Sequence, residues 1–281
     1  MEMEKILKGI EAAADQNASS EETYIAEDGL LYCSKCHTKR QTEIFLFDCR
    51  RLVPCICKCM KEERDAQRAA EERREQMRYI ERLRRAGFHN DDIASWTFET
   101  DNGSNQKVMD IMRKYVENFK TFRETGKGLL LYGNVGTGKT FAAACIANAL
   151  IDKGVPCYMT NFAQITNAIQ ATFDGKEEYI NNLLRHRLII IDDLGIERKT
   201  EYMQEIVYSV IDAIYRAGVP LIITTNLSLE ELKHPQNIAD ARYYDRILER
   251  CFPVEVSGAN QRRKKINADY QNTKELLGLC D

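Results

Sequence analysis

Residues 128–140 read GLLLYGNVGTGKT, and they carry the strongest signal for the fold of this chain. Its first five residues form a continuous apolar run, which predicts a strand that is buried on both faces. The next eight, Gly133-Asn134-Val135-Gly136-Thr137-Gly138-Lys139-Thr140, match the pattern G-x-x-x-x-G-K-[ST] in full. Residues 139–152 are rich in alanine and predict a helix. The pattern therefore lies between a strand and a helix, which is the context that a phosphate-binding loop requires.

The groups that this loop offers suit a nucleoside triphosphate and its metal ion. Glycines let the backbone curl so that successive N–H groups face inward, and the start of the helix adds partial positive charge. We expect Lys139 to reach the β- and γ-phosphates and the Thr140 hydroxyl to bind Mg²⁺. The sequence therefore predicts that residues 133–140 bind ATP with Mg²⁺ and that the chain hydrolyses ATP.

Short apolar runs alternate with longer amphipathic runs after the loop. This alternation predicts an α/β fold in which a parallel five-stranded sheet carries helices on both faces. The other predicted strands are residues 156–160, 188–191, 219–225 and 253–256. The other predicted helices are residues 162–184, broken at Asp174-Gly175, and then 201–217 and 239–251.

Two carboxylates follow the predicted strand 188–191, and an amide follows the predicted strand 219–225. Asp192 and Asp193 follow the run LIII, and Asn226 follows the run LIITT. We expect Asp192 to hold Mg²⁺, directly or through water, and Asp193 to orient or activate the attacking water. Asn226 is expected to sense the γ-phosphate, although an Asn after a strand is also ordinary turn chemistry.

Four stretches resemble the AAA+ ATPases, and within them the DnaC/DnaI/IstB-like group of helicase loaders and transposition helper ATPases. They are GLLLYGNVGTGKT, LIIIDDLGIERKTEY, VPLIITTNLSLEEL and DRILERCFPVEVSGANQRRKK, and they span most of residues 88–265. The resemblance implies that Asp192–Gly195 is the Walker B region and that Asn226 is the first sensor. About 25 residues follow Val256. We therefore expect the helical lid of many AAA+ proteins to be shortened to one helix, as in the DnaC/IstB branch.

The resemblance also implies an arginine finger on the helix before the last strand. Arg246 and Arg250 stand there, one turn apart on one face. Arg250 is the preferred finger and Arg246 its support, and a salt-bridged helix face is the plainer alternative. Because a finger reaches the γ-phosphate of a neighbouring subunit, it implies self-association. Arg262 and Arg263 match the second-sensor position, and Arg262 is the one that we assign to the nucleotide site.

Six of the ten cysteines fall within 27 positions near the amino terminus. A C-x₂-C pair begins the group and C-x-C-x-C ends it, a spacing that suits structural Zn²⁺. Metal binding would supply the folding free energy that so small a segment lacks. The ligands that we assign are Cys33, Cys36, Cys57 and Cys59. Cys55 could replace Cys57 or Cys59, and Cys49 or His37 is a further substitute. A redox C-x-x-C pair is the alternative, but no thioredoxin-like βαβ pattern surrounds it.

The chain is thus predicted to have three segments: a zinc-binding segment (residues 1–60), a charged helical linker (61–87) and an AAA+ ATPase domain (88–281). No apolar run approaches the ~20 residues that span a bilayer, and the acidic amino terminus is unlike a signal peptide. We expect a cytoplasmic protein with no membrane partner. The net charge of −3 by itself predicts no polyanionic partner, so local charge has to decide.

Three functions are consistent with these features. The first is a helicase loader that binds a DnaB-type replicative helicase and single-stranded DNA, with the zinc segment and the linker docking the helicase. The second is an IstB-like transposition helper that acts on duplex DNA with a transposase. The third is a P-loop small-molecule kinase, which would need no Asn sensor and no arginine finger. The zinc segment favours the loader because it is typical of a docking module.

The residues that contact DNA are less well defined by the sequence. Phe173, Lys176 and Tyr179 lie between the second and third strands, where initiator-type AAA+ proteins contact single strands. Aromatic rings can stack on bases while lysines meet phosphates. The plainer alternative is that these aromatic side chains pack in the core.

Overall fold

The cysteine-rich segment folds as two short hairpins in the computed structural model, which describes residues 22–46, 49–171, 175–195, 200–277 and 279. The chain divides into two units, Met1–Met77 and Arg78–Asp281. Two antiparallel strand pairs form the hairpins of the first unit: β1 (Thr23–Ile25) with β2 (Leu31–Cys33), and β3 (Gln41–Leu46) with β4 (Cys49–Pro54). The sequence did not predict these four strands. A 30-residue helix, α1 (Lys58–Gly87), follows them and contains the whole predicted linker.

The second unit alternates helices and strands, as its apolar runs predict. The elements that precede the phosphate loop are α2 (Asp91–Ala94), α3 (Gln106–Glu117), α4 (Phe119–Thr125) and β5 (Gly128–Tyr132). Those in the middle are α5 (Lys139–Asp152), β6 (Cys157–Asn161), α6 (Phe162–Ala171), α7 (Gly175–Leu183) and β7 (Leu188–Leu194). The last are α8 (Glu201–Ala217), β8 (Leu221–Thr225), α9 (Leu229–Lys233), α10 (Ile238–Arg250), β9 (Cys251–Glu255) and α11 (Gln261–Leu276).

Strands β5 to β9 form one sheet in the order β6-β7-β8-β5-β9, and every neighbouring pair is parallel. The predicted five-stranded parallel sheet is therefore confirmed. Because parallel strands end at the same edge of a sheet, the residues at or just after the carboxyl ends of β5, β7 and β8 meet there. These residues are the phosphate loop, the two aspartates and Asn226.

Both faces of the sheet are buried, which explains why its strands are continuously apolar. Successive side chains of a strand point to opposite faces, so Leu129 and Leu131 join one core cluster while Leu130 joins the other. The first cluster packs the sheet against α3 and α5. The second packs it against α6, α8 and α10. The phosphate loop is thus anchored at both ends in packed elements.

Local signals set the helix boundaries close to the predicted ones. Helix α8 begins at Glu201 because the Thr200 hydroxyl accepts a hydrogen bond from the Met203 N–H at 3.3 Å. It ends at Gly218, whose φ of +64° is left-handed. One helix, α11, follows the last strand within the described residues. Across the described part of the chain, no helix has the length and apolarity that crossing a membrane requires.

Candidate nucleotide site

Residues 133–140 form the turn between β5 and α5, where their pattern places them. Gly133 and Gly136 have φ of +137° and +80°, a region that other residues rarely adopt. A Cβ on Gly136 would lie 2.2 Å from Asn260 Oδ1, and one on Gly133 would lie 2.6 Å from the Val256 carbonyl oxygen. These two glycines therefore allow the loop to pack against the segment that follows β9.

Lys139 lies inside this turn and is 5% exposed. Its Nζ donates to the carbonyl oxygens of Gly133 and Asn134, both at 2.8 Å, and to Asn226 Oδ1 at 2.7 Å. Burial lowers the pKa of Lys139, and the charges of Asp193 and Asp192 act against that shift. An ammonium group held among oxygen acceptors at the start of a helix is suited to bind phosphate. The contact also places Asn226 beside the loop.

The two aspartates occupy the end of β7 and differ in their surroundings. Burial raises the pKa of Asp192, hydrogen bonds from Thr224 and Thr140 lower it, and the charge of Asp193 raises it. Asp193 lines the cavity next to the loop. The Thr140 hydroxyl and the Asp192 carboxylate are therefore neighbouring oxygen donors, the ligand type that Mg²⁺ prefers. These residues fit a magnesium ion.

A cavity of about 510 Å³ opens beside the loop, within the ~300–1,000 Å³ range of small-molecule sites. Its lining includes the apolar side chains Trp96, Phe141 and Val256 and the polar side chains Asn102 and Gln261. The loop residues that line it are Val135, Gly136, Thr137, Gly138, Lys139 and Thr140. Such a lining can take an aromatic base against its apolar side chains and phosphates against the loop.

The two candidate second-sensor arginines lie at the start of α11. Arg262 lines the cavity, and its charge acts on Lys139. Arg263 donates its backbone N–H to Asn260 Oδ1 at 3.1 Å, and its side chain is absent from the described lining of the cavity. Of the two arginines, Arg262 is thus the one that lines the cavity beside the loop.

Thr224 is a site residue that the sequence analysis missed. It is fully buried on β8, and its hydroxyl lies 2.5 Å from Asp192 Oδ1. The signal that could have identified it is its position, two residues before Asn226 on the strand that neighbours β7. Threonine is so common in strands that this signal was hidden.

Arg246 and Arg250 lie away from the cavity that their own chain forms. Arg250 Nη1 donates to the Thr125 carbonyl oxygen at 3.3 Å, and its guanidinium lies 4.7 Å from the centre of the Tyr215 ring. Thr125 ends α4, just before β5. Arg250 is therefore near the amino-terminal ends of the strands, at the edge opposite the phosphate loop.

Arg246 is neutralised within its own chain. Its Nη2 lies 2.8 Å from Asp212 Oδ1 and 3.2 Å from the Tyr208 hydroxyl. The guanidinium also lies 4.9 Å from the centre of the Tyr208 ring. The ion pair with Asp212 agrees with the plainer alternative, a salt-bridged helix face, for this one arginine.

Four thiols of the first unit converge as the ligand assignment predicts. The Sγ atoms of Cys33, Cys36, Cys57 and Cys59 all lie within 4.8 Å of one another. The Cys55 Sγ instead donates to the Lys39 carbonyl oxygen at 3.2 Å, and Cys49 is exposed. His37 Nδ1 lies 3.2 Å from the Tyr24 hydroxyl. Four sulfur donors in one cluster fit the tetrahedral preference of Zn²⁺.

Of the three candidate DNA contacts, Phe173 lies outside the described residues. Lys176 forms an ion pair with Glu205 at 2.7 Å and contacts the Ser209 hydroxyl at 3.2 Å. Tyr179 packs against the second core cluster, and burial raises the pKa of its hydroxyl. The core-packing alternative therefore describes Tyr179.

Comparison with known proteins gives a family and several relatives. The family model described as IstB-like ATP binding protein matches residues 59–268. The replicative helicase loader DnaI of Bacillus subtilis is 28% identical over 204 residues, which are 67% of this chain and 65% of that protein. The replicative helicase loader DnaC of Escherichia coli (strain K12) is 29% identical over 124 residues, 43% of this chain and 49% of that protein. The chain thus spans from about half to just under two thirds of these relatives.

Solved structures with the same fold include those of DnaI and of the DnaC helicase loader. A crystal structure of DnaI has a TM-score of 0.51 at 21% identity. The matched region covers 64% of this chain and 99% of the DnaI chain in that structure. A crystal structure of the DnaC helicase loader has a TM-score of 0.50 at 24% identity, and it covers 60% of this chain and 100% of that chain. At these identities the likeness is one of fold.

Proposed function

Because this chain belongs to the family of IstB-like ATP binding proteins, we propose that it hydrolyses ATP in the site described above and helps to load a replicative helicase onto single-stranded DNA. The observation that carries the ATPase proposal is the convergence of Lys139, Asn226 and the two aspartates at one edge of the sheet. The names of DnaI and DnaC carry the choice of helicase loading.

In this proposal the loop binds the triphosphate and the cavity binds the base. The backbone N–H groups of residues 133–140 and the Lys139 ammonium hold the phosphates, and Arg262 approaches them from α11. The apolar side chains of the cavity lining accept adenine. Thr140 and Asp192 would hold Mg²⁺, which neutralises phosphate charge when bound.

The hydrolytic step rests on Asp193 and Asn226. Asp193 lines the cavity, so its carboxylate can accept a hydrogen bond from the attacking water and orient it. Asn226 positions the same water or the γ-phosphate by its side-chain amide, and its contact with Lys139 ties that position to the phosphates. A proton released from the water can pass to Asp193.

The first unit is proposed to dock the helicase through its zinc-stabilised hairpins. Zn²⁺ would be held by the four clustered thiolates. Phe45 and Ile25, on two different hairpins, are 76% and 71% exposed. Large apolar side chains that stay exposed on a small folded unit are typical of docking surfaces. The partner proposed for this unit is the replicative helicase that the names of the loaders DnaI and DnaC contain, and no other partner is proposed.

The test is a measurement of ATP hydrolysis and of helicase binding with one preparation. The purified chain is mixed with the DnaB-type helicase of its host, with or without single-stranded DNA, and hydrolysis is followed with Lys139→Ala as the blank. We expect the helicase to co-elute in at least one nucleotide state and to change the rate of hydrolysis. No binding in either nucleotide state would contradict helicase loading, and stimulation by duplex DNA alone would favour the transposition helper.

The proposed trans action of Arg250 predicts rescue between two inactive variants. Arg250→Ala lacks the finger but keeps its own nucleotide site, and Lys139→Ala lacks the site but keeps the finger. In an equal mixture, about a quarter of the head-to-tail interfaces pair an intact site with an intact finger. We therefore expect the mixture to recover up to about a quarter of the wild-type rate per interface, measured as ATP hydrolysis at increasing protein concentration.

The control for this experiment is Arg216→Ala, which removes an exposed arginine from the neighbouring helix α8. Arg216 forms an ion pair with Asp212 at 2.8 Å, but it is 74% exposed. We expect this variant to hydrolyse ATP like wild type. A mixture of the two inactive variants that gains nothing at any ratio would contradict the finger.

A further inference from the structure

The two aspartates of the nucleotide site lie in a bulge of the sheet. Ile191 on β7 is opposite Ile223 on β8, and the next register pair is Leu194 with Thr225. Two residues of β7, Asp192 and Asp193, therefore face a single residue of β8, Thr224. Bulges of this kind redirect side chains at the ends of strands. Here the bulge lies at the point where the carboxylates meet the phosphate loop.

Asp193 has a backbone conformation that needs external support. Its φ is +57°, in the left-handed region, which only a minority of residues other than glycine occupy. Such a conformation persists where the surrounding structure fixes it. The N–H of Asp193 donates to the Thr224 hydroxyl oxygen at 2.9 Å. Thr224 thus contacts the residue whose conformation makes the bulge.

The single hydroxyl of Thr224 serves both aspartates at once. It donates its hydrogen to Asp192 Oδ1 at 2.5 Å and accepts the N–H of Asp193. A hydroxyl has one donor hydrogen, so the bond to Asp192 uses the whole donor capacity. Thr224 is 0% exposed, so solvent does not reach its hydroxyl. One buried group therefore fixes the carboxylate of one aspartate and the backbone of the next.

The adjacent Thr225 provides a comparison within the same strand. It is also 0% exposed, and its hydroxyl donates to the Leu194 carbonyl oxygen at 2.7 Å. It accepts the N–H of Leu227 at 3.1 Å. The Thr225 hydroxyl thus joins backbone to backbone, whereas the Thr224 hydroxyl reaches an acidic side chain. A comparison of Thr224 with Thr225 therefore separates a general structural role from a role at the proposed metal site.

We propose that Thr224 is a positioning residue that aims the Asp192 carboxylate toward Thr140 and holds Asp193 in its left-handed conformation. This inference rests on the proposed ATPase function, because it assigns Thr224 to the residues that would hold Mg²⁺. Thr224 itself touches neither nucleotide nor metal in this scheme. Removing its hydroxyl takes one of the hydrogen bonds from the Asp192 carboxylate and removes the acceptor of the Asp193 N–H.

The test measures how much Mg²⁺ strengthens nucleotide binding, which requires no turnover. A fluorescent derivative of AMP-PNP is titrated into wild type and into Thr224→Val, once in EDTA and once in Mg²⁺. We expect wild type and Thr224→Val to bind the nucleotide with equal affinity in EDTA. The gain in affinity that Mg²⁺ gives should be about tenfold smaller in Thr224→Val, the typical effect of removing a group that orients a metal ligand. Thr224→Ser, which keeps the hydroxyl, should retain the wild-type strengthening.

Thr225→Val is the matched control, since it removes an equally buried hydroxyl one residue away. The gain in nucleotide affinity that Mg²⁺ gives this variant should stay at the wild-type value, even if its melting temperature falls. An unchanged value for Thr224→Val, or an equal loss in both variants, would overturn the positioning role. Thr224→Ala removes the same hydroxyl and replaces Thr224→Val if that variant does not fold. If Mg²⁺ does not strengthen nucleotide binding by the wild-type protein at all, the proposed metal site itself is overturned.

Discussion

Lys139→Ala is expected to lower the rate of ATP hydrolysis by roughly 10²–10³-fold, the usual effect of removing one preorganised group that stabilises developing charge. The physical reason is that Lys139 is buried and already oriented. Its Nζ has oxygen acceptors in Gly133, Asn134 and Asn226 within 2.8 Å, so the ammonium needs little rearrangement to meet phosphate oxygens. We also expect weaker ATP binding, measured by titration with a fluorescent ATP analogue.

The same substitution should leave the fold intact, which separates loss of function from loss of structure. Burial lowers the pKa of Lys139, so the folded protein without nucleotide disfavours this charge. We expect the melting temperature to stay within about 4 °C of wild type, the shift that roughly 1 kcal/mol produces in a protein of this size. Calorimetry checks this value.

Lys153→Ala is the control, because Lys153 caps the carboxyl-terminal end of the same helix and is exposed. It should hydrolyse ATP at the wild-type rate. If Lys139→Ala kept wild-type hydrolysis while remaining folded, the measured activity would belong to another site or another protein. The proposed phosphate site would then be wrong.

The sequence could bring the residues of the candidate nucleotide site together because their signals are local. A phosphate loop is a contiguous pattern, G-x-x-x-x-G-K-[ST], and a short apolar run before it marks the strand from which it leaves the sheet. Asp192, Asp193 and Asn226 each follow such a strand, so their meeting required only that the strands be parallel neighbours. Each of these inferences needed a short window of sequence.

The sequence could not predict features that depend on pairing between distant segments. Strands β1 and β2 have three residues each, too few for an alternating pattern to stand out. The bulge at Asp192 and Asp193 arises from the register of β7 against β8, which no window of either strand contains. Thr224 became visible as a site residue only once that register was known.

The choice among the cysteines shows the same limit. Spacing alone left Cys55 as a possible replacement for Cys57 or Cys59. The structure separates them, because the Cys55 thiol contacts a backbone carbonyl oxygen while the other two thiols lie 3.3 Å apart. Cysteines two positions apart in one run thus direct their thiols to different neighbours, and spacing alone does not show which neighbours these are.

Removal of Zn²⁺ is expected to unfold the cysteine-rich hairpins. We expect the purified chain to contain about one zinc ion, and we expect Cys57→Ser to lose it together with the folded state of residues 22–57. The reason is the small core of this segment. Among its described residues, the buried ones are Leu30, Leu31, Cys33 and Cys57. Two leucines cannot offset the conformational entropy of ordering the hairpins.

The metal would supply what the core lacks. Structural Zn²⁺ in small peptides contributes about 10–16 kcal/mol at neutral pH, so its loss should unfold the hairpins completely. Zinc content is measured by mass spectrometry, and folding by hydrogen exchange of the backbone amides. We expect residues 22–57 to lose protection in Cys57→Ser and after chelation. Cys55→Ser is the matched control and should keep both zinc and protection.

The experiment also distinguishes zinc binding from a redox role for the same thiols. Cys59 Sγ lies 3.5 Å from Cys33 Sγ and 3.3 Å from Cys57 Sγ, so oxidation could join one such pair. A redox pair would leave the reduced protein folded without metal, and protection would then survive chelation under reducing conditions. A zinc site predicts the opposite. The phosphate site lies wholly in the second unit, so its affinity for ATP should not change in either case, and that constancy shows that only the first unit has unfolded.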